Sequence, residues 1–183
     1  MKNDVPGAGT PTLVAQPLTP EAFAPFGTVI AAPAVPAVRA GEGRPINGGN
    51  ARRFDLVDDL QLGAEGGRPM LALFRAQARR FPHEVAEMER HALGSQTFVP
   101  LGARRFVIVV APAGQAPATA GRLQAFVTDG QQGVVLAPGT WHHALLAVDA
   151  GDFVVIERAA AGVVDCDVCR LREPAHVVAA ALS

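Results

Sequence analysis

Glu89-Arg90-His91-Ala92-Leu93-Gly94-Ser95-Gln96-Thr97-Phe98-Val99-Pro100-Leu101 sets a carboxylate, an imidazole and an amide among apolar strand formers. Such groups are costly to place beside a core unless they are paired, hydrogen-bonded or ligated. Residues two apart on a strand share a face, so Glu89 and His91 point one way and Arg90 the other, while Gln96 goes with Phe98. A second polar cluster, Pro138-Gly139-Thr140-Trp141-His142-His143, heads another apolar run far along the chain. The two clusters are expected to meet.

Outward from this stretch, short extended segments alternate with turn residues. Strands are expected at 70–76, 87–91, 96–101, 105–110, 123–128, 133–136, 142–148, 153–158 and 163–168. Gly94, Gly102, Pro112 with Gly114, Asp129-Gly130, Pro138-Gly139 and 149–151 separate them. Spacing of this kind argues an all-β sandwich or barrel. Toward the N-terminus, 13–15, 27–31 and 52–57 read as further strands. Thr19-Pro20-Glu21 starts a brief helix that Pro25 and Gly27 close, and Asn47-Gly48 marks a hairpin turn. A Pro/Ala/Gly-rich loop is expected at 32–43 and another loop at 58–67. Residues 1–12 read as a loose tail, 13–173 as a single domain, and 174–183 as an apolar C-terminal tail, helical or in a dimer contact.

Of the 183 residues, 49% are apolar and 18% charged, which marks a globular chain. At this length one domain buries a full core without disulfides. The formal net charge of −1, with both signs mixed, leaves no footprint for nucleic acid or an anionic membrane. Small-molecule chemistry is the remaining theme. No apolar run reaches the roughly 20 residues of a membrane helix, and 1–12 lacks the centre of a signal peptide, so a cytoplasmic protein is expected. Cys166 and Cys169 form one C-x-x-C, which suits a reducing compartment. Neither two further zinc ligands nor a βαβ context accompanies them.

The central stretch resembles the first metal motif of the cupins, small jelly-roll barrels of the double-stranded β-helix kind. That motif is His-x-His, a Glu four or five residues on, then Gly. Here the positions read Glu89-x-His91, Gln96 and Gly102, so two residues have changed type. The second cupin motif is Gly, then Pro-x-Gly, then His. Gly133, Pro138, Gly139 and His142 follow it with one residue missing.

A closer resemblance is to the ureidoglycolate lyase family, cupin-fold enzymes of allantoin degradation that cleave ureidoglycolate to glyoxylate and urea. It is carried by Pro17-Leu18-Thr19-Pro20-Glu21-Ala22-Phe23, Ile46-Asn47-Gly48-Gly49, Phe74-Arg75-Ala76-Gln77, Glu89-Arg90-His91-x-x-Gly94-Ser95-Gln96-x-Phe98 and Val110-Ala111-Pro112. Phe126-Val127-Thr128-Asp129-Gly130, Trp141-His142-His143, Asp152-Phe153-Val154 and Cys166-Asp167-Val168 continue it. Departures are the leading tail, the loop near 33–43, and Ala144 where the family tends to have Pro.

The resemblance implies a lyase with Glu89, His91 and His142 as catalytic residues. His142 or Glu89 would serve as base and His91 as acid or orienter. A substrate carboxylate needs a guanidinium; Arg75 and Arg90 are preferred over Arg158, with Ser95, Gln96 and His143 as further contacts. His142, in the cupin position, is taken as the inward histidine. Asn47 reads better as a turn residue and Trp141 as packing. Glu89, His91, Gln96 and His142 offer oxygen and nitrogen donors for one divalent ion, Mn²⁺, Ni²⁺ or Zn²⁺, and neutral Gln96 in place of Glu weakens that set. Both a metal-assisted and a metal-free route stay open, with no nucleotide or organic cofactor in either. Open sheet edges suggest a homodimer. Two other classes compete: a metal-dependent cupin isomerase or oxygenase, and a non-catalytic small-acid-binding barrel.

Overall fold

The computed structural model describes residues 10–32 and 43–179; most of the expected 1–12 tail and of the 32–43 loop lies outside them. In chain order the described elements are β1 (Thr12–Pro17), α1 (Pro20–Phe23), β2 (Gly27–Ile30), β3 (Arg44–Ile46), β4 (Ala51–Arg53), β5 (Arg68–Ala76), β6 (His83–Arg90) and β7 (Gln96–Pro100). After them come β8 (Phe106–Ala111), β9 (Gln124–Val127), β10 (Gly133–Leu136), β11 (Trp141–His142), β12 (Leu146–Ala147), β13 (Gly151–Ala159) and β14 (Asp167–Ala179). Six strands close into a ring in the order β11, β6, β14, β1, β9, β8 and back to β11, with β12 beside β8. A second sheet runs β2, β10, β7, β13, β5, and β3 pairs with β4 as a hairpin. This is the all-β, cupin-like barrel, with one four-residue α-helix among the described residues.

The run Phe106-Val107-Ile108-Val109-Val110-Ala111 explains how the two sheets share a molecule. Every residue of β8 is buried, and strand alternation sends the row in two directions. Phe106, Ile108 and Val110 join Phe98, Leu136, Phe153 and Val155 in the space between the sheets. Val107, Val109 and Ala111 join Val85, Met88, Val127 and Val177 inside the ring. β8 is therefore the wall between two apolar compartments, and a β-branched run is what a strand buried on both faces requires.

Helix α1 plugs the first compartment. Thr19 caps it by accepting from the Ala22 amide at 3.2 Å, Pro20 occupies its first turn, and Phe23 packs edge-on against Phe126. Gly27, at φ +151°, lets β2 approach β10: a Cβ there would lie 1.9 Å from the Val135 carbonyl oxygen.

Two strand expectations differ from the structure. The expected 142–148 strand is split into β11 and β12, because His142 pairs with Val110 and Leu146 with Val107. Four steps on one side against three on the other make a bulge. The expected 163–168 strand does not form; β14 starts at Asp167 and runs through Ala179, so 174–179 is no tail. Pro174, the first residue of the expected tail, lies where the β14–β6 register shifts between Arg170 and Ala175. A bulge is one of the few places where a sheet tolerates a residue without an N–H. Beyond it Ala175 and Val177 are fully buried. No described helix is long and apolar enough to cross a membrane.

Candidate active site

Register places the polar residues on two lateral rows. On the ring, Val110 pairs with His142, His142 with Glu89, and Glu89 with Val168. On the second sheet, Leu136 pairs with Gln96 and Gln96 with Glu157. Paired residues share a face, and Val110 and Leu136 both belong to the core between the sheets. His142, Glu89, Gln96 and Glu157 therefore point into that same space, at the end where the apolar filling stops. Arg90 and Trp141, one residue off in parity, face elsewhere.

The turn Ala137-Pro138-Gly139-Thr140 ties the two sequence clusters together. Gly139, at φ +81°, suits the third position of a type II turn after Pro138. Its amide donates to the His91 carbonyl at 2.7 Å, and the Thr140 hydroxyl donates to the Phe26 carbonyl at 3.0 Å. The backbone of the second cluster is thus pinned to that of the first.

His142 is 1% exposed. Its Nδ1 lies 3.0 Å from the Thr140 carbonyl oxygen, which only accepts, so the proton of the neutral ring sits on Nδ1 and leaves a lone pair on Nε2. The same logic holds at His91, where Nδ1 meets the Asp165 carbonyl. Both Nε2 atoms are buried without a hydrogen-bond partner. His142 Nε2 stands 3.6 Å from Glu89 Oε1, beyond hydrogen-bond range. Burial, helped by the neighbouring His91 and His143 and opposed by the Thr140 carbonyl, lowers the His142 pKa to about 4. The imidazole is therefore neutral near pH 7, and the contact with Glu89 is not an ion pair.

Three acceptors thus converge without a donor among them. The ligand atoms of Glu89, His91 and His142 lie within 4.8 Å of one another. A first-row dication with bonds of about 2.1 Å spans up to about 4.2 Å between ligands, so small side-chain rotations close the set. Unpartnered Nε2 lone pairs whose opposite nitrogens are fixed by carbonyls are what histidine ligands require. The cluster can hold a divalent metal ion. Gln96 enters the same space from the opposite sheet: its Nε2 donates to Glu157 Oε2 at 2.9 Å, while its Oε1 is buried and unpartnered.

A cavity of about 180 Å³ reaches the cluster at His91 and is lined also by Ser95, Glu157, Arg158, Val163 and Asp165. Ser95 donates its hydroxyl proton to the Leu60 carbonyl, which leaves the oxygen free to accept. Arg158 donates to the Ala64 and Glu65 carbonyls at 2.8 and 3.2 Å. This uses one edge of the guanidinium and leaves donors over.

Other expected contacts lie away from this cavity. Arg75 is tied to Asp152 at 2.8 and 3.1 Å, in a separate hollow with Leu101 and Arg104. Arg90 binds Asp167 and the Gly114 carbonyl and lies 4.7 Å over the Trp141 ring. Neither lines the cavity at His91, and each guanidinium already has an anionic partner of its own. His143 packs edge-on against His83 and lines a hollow with Glu87, Glu89 and Val168; burial lowers its pKa. Asn47 stays in its hairpin, as the turn reading has it.

Sequence reasoning missed Glu157 and Asp165 and ranked Arg158 last. Glu157 could have been found by parity, since it shares a face with Phe153 and Val155. Asp165 carried no signal, because its role depends on a loop: its carboxylate accepts from the Ala92 and Leu93 amides at 2.7 and 3.0 Å. Beside it the Cys166 thiol donates to Glu89 Oε2 at 3.8 Å. Burial and the Glu89 carboxylate push that thiol's pKa up, so it stays protonated.

Comparison with known proteins bears on the whole of this arrangement. The family model described as "Ureidoglycolate lyase" matches residues 10–178. A ureidoglycolate lyase of Burkholderia cepacia is 48% identical over 153 residues, covering 82% of each chain. One from Rhizobium meliloti (strain 1021) is 45% identical over 149 residues, 80% of this chain and 82% of its own. Another, from Pseudomonas fluorescens (strain SBW25), is 41% identical over 152 residues, 82% of this chain and 87% of its own. With a match that spans the barrel and both polar rows, the chain belongs to the ureidoglycolate lyase family.

Proposed function

We infer that this chain is a ureidoglycolate lyase, splitting ureidoglycolate into glyoxylate and urea, with Glu89, His91 and His142 at its reaction centre. For that centre, the supporting observation is the convergence of two unpartnered Nε2 atoms and a carboxylate at the end of a polar cavity.

The substrate carries a hydroxyl, a carboxylate and the ureido nitrogen on one carbon. Cleavage breaks the carbon–nitrogen bond, converts C–OH to C=O and moves one proton from that oxygen to the departing nitrogen. Glu89, His91 and His142 would hold a divalent ion, whose positive charge would favour loss of the hydroxyl proton; Ni²⁺, Mn²⁺ and Zn²⁺ all suit such donors. His142, neutral and buried, acts as a donor atom rather than as the base. Glu157 faces the cavity from the opposite sheet and takes the hydroxyl proton; the oxygen and nitrogen share a carbon, so the same carboxyl returns it to the nitrogen. Arg158 holds the substrate carboxylate with the donors its backbone contacts leave over. Ser95 Oγ and Gln96 Oε1 accept from the ureido N–H groups.

The homodimer reading rests on β5. It is a sheet edge whose Leu71 and Leu73 are 73% and 56% exposed, and long apolar edges are normally covered. The cytoplasmic reading rests on the two free cysteines.

The activity test is direct. Purified protein incubated with (S)-ureidoglycolate is expected to release glyoxylate and urea in equal amounts, and Glu89→Ala and His142→Ala to abolish the acceleration. Decay no faster than the uncatalysed rate contradicts the reading, and ammonia in place of urea makes the protein a hydrolase instead.

A further inference from the structure

The loop that precedes β14 brings two consecutive residues against Glu89 of β6 and against His91, which follows the end of that strand. Asp165 acts twice. Its backbone carbonyl accepts from His91 Nδ1, and its carboxylate accepts from the Ala92 amide at 2.7 Å and the Leu93 amide at 3.0 Å, clamping the turn that carries His91. Cys166 follows at once, and its thiol donates to the Glu89 oxygen that does not face His142. By contrast, His142 takes its orientation from the Thr140 carbonyl within its own turn.

We propose that Asp165 and Cys166 are positioning residues for ureidoglycolate cleavage, holding His91 and Glu89 in the geometry that the reaction centre needs. Asp165 fixes which imidazole nitrogen carries the proton, so that Nε2 presents its lone pair. Cys166 fixes the rotation of the Glu89 carboxylate, leaving Oε1 toward His142. Neither residue needs to touch substrate. This rests on the lyase reading for its kinetic consequence but not for its structural one. Orienting partners of this kind are typically worth 10- to 100-fold in metal affinity or turnover.

The test uses the full chain as Asp165→Ala, Asp165→Asn, Cys166→Ala and Cys166→Ser, with Cys169→Ser as control; that thiol lies near the Pro117 carbonyl instead. Asp165→Ala is expected to weaken Co²⁺ binding about tenfold and to lower kcat about tenfold with little change in KM. Asp165→Asn, which keeps an acceptor for the amides, recovers most of both. Cys166→Ala is expected to cost about threefold in each, the scale of a weak hydrogen bond, and Cys166→Ser to restore it.

Two readouts do not depend on turnover. In metal-free protein, imidazole ¹⁵N shifts are expected to show the His91 proton on Nδ1 alone; Asp165→Ala keeps the backbone carbonyl but loses the carboxylate clamp that seats it against His91, and is expected to show a mixture of tautomers. The Co²⁺ spectrum is expected to lack a thiolate charge-transfer band; its presence would make Cys166 a ligand and overturn its positioning role. Wild-type Co²⁺ affinity and tautomer in folded Asp165→Ala, with wild-type affinity in Cys166→Ala, would overturn the proposal outright. If Asp165→Ala fails to fold, the Cys166 pair and Asp165→Asn still decide it. A wild-type protein that binds Co²⁺ with the expected tautomer yet cleaves no ureidoglycolate refutes the lyase reading and leaves the positioning reading standing.

Discussion

The two compartments on either side of β8 are built from the same strand chemistry and end differently. Inside the six-strand ring, Val85, Met88, Val107, Val109, Val127, Leu146 and Val177 form a buried apolar cluster. Between the sheets, the aromatic filling of Phe23, Phe26, Phe98, Phe106, Phe126 and Phe153 gives way at one end to His142, Glu89, Gln96 and Glu157. What separates the two is pairing. β11 is two residues long, and the bulge after it breaks the ladder just where the polar row crosses. His142 and Gln96 stay buried there, and His91 Nε2, His142 Nε2 and Gln96 Oε1 keep no hydrogen-bond partner, which leaves them available to a ligand.

If the polar row exists for chemistry rather than packing, His142→Leu separates the two functions. Removing the unpartnered Nε2 offsets much of the loss of the Nδ1 bond to the Thr140 carbonyl, so stability is expected to fall by no more than about 1 kcal/mol while kcat/KM falls about a thousandfold. Thermal unfolding and kinetics on one sample check this; a destabilised but active variant would make His142 a packing residue. Phe106→Ala, in the aromatic part, is expected to do the reverse. It should cost about 3–5 kcal/mol of stability with kcat per folded molecule unchanged, as read by denaturant titration beside activity. Arg158→Lys, at the cavity rim, is expected to raise KM about tenfold with kcat kept, because an ammonium cannot match the guanidinium fork.

The smallest effect belongs outside both compartments. Asp149 accepts from the Arg105 amide and guanidinium at 2.9–3.1 Å, and that pairing holds its carboxyl below the ordinary carboxylate pKa. A group depressed on folding stabilises above its unfolded pKa of about 4 and loses that contribution as pH falls through the folded value. Asp149→Asn is expected to cost about 0.5 kcal/mol near pH 7 and nothing well below pH 3. The difference in unfolding free energy against pH checks the sign.

Much of the fold was legible because strand alternation and turn residues are local. β8, β10 and the Thr19 cap follow from their own residues. The split of 142–148 and the path of β14 past Pro174 were not legible, since a bulge depends on the partner's register. The same division runs through the site. Parity within the first cluster separates Glu89 and His91 from Arg90, because each row is a property of one strand. Choosing among Arg75, Arg90 and Arg158 required knowing which guanidinium was already occupied. Asp165 could not be read at all, since it acts through a loop against a turn that lies far away in sequence.

The most direct measurement is turnover of (S)-ureidoglycolate and metal content on the same sample, before and after exhaustive chelation and again after adding Ni²⁺, Mn²⁺ or Zn²⁺. If Glu89, His91 and His142 form a metal-holding reaction centre, activity disappears with the metal and returns as one ion per chain is restored, and His142→Ala neither takes up the ion nor recovers. Full activity in protein shown to contain no metal would contradict it.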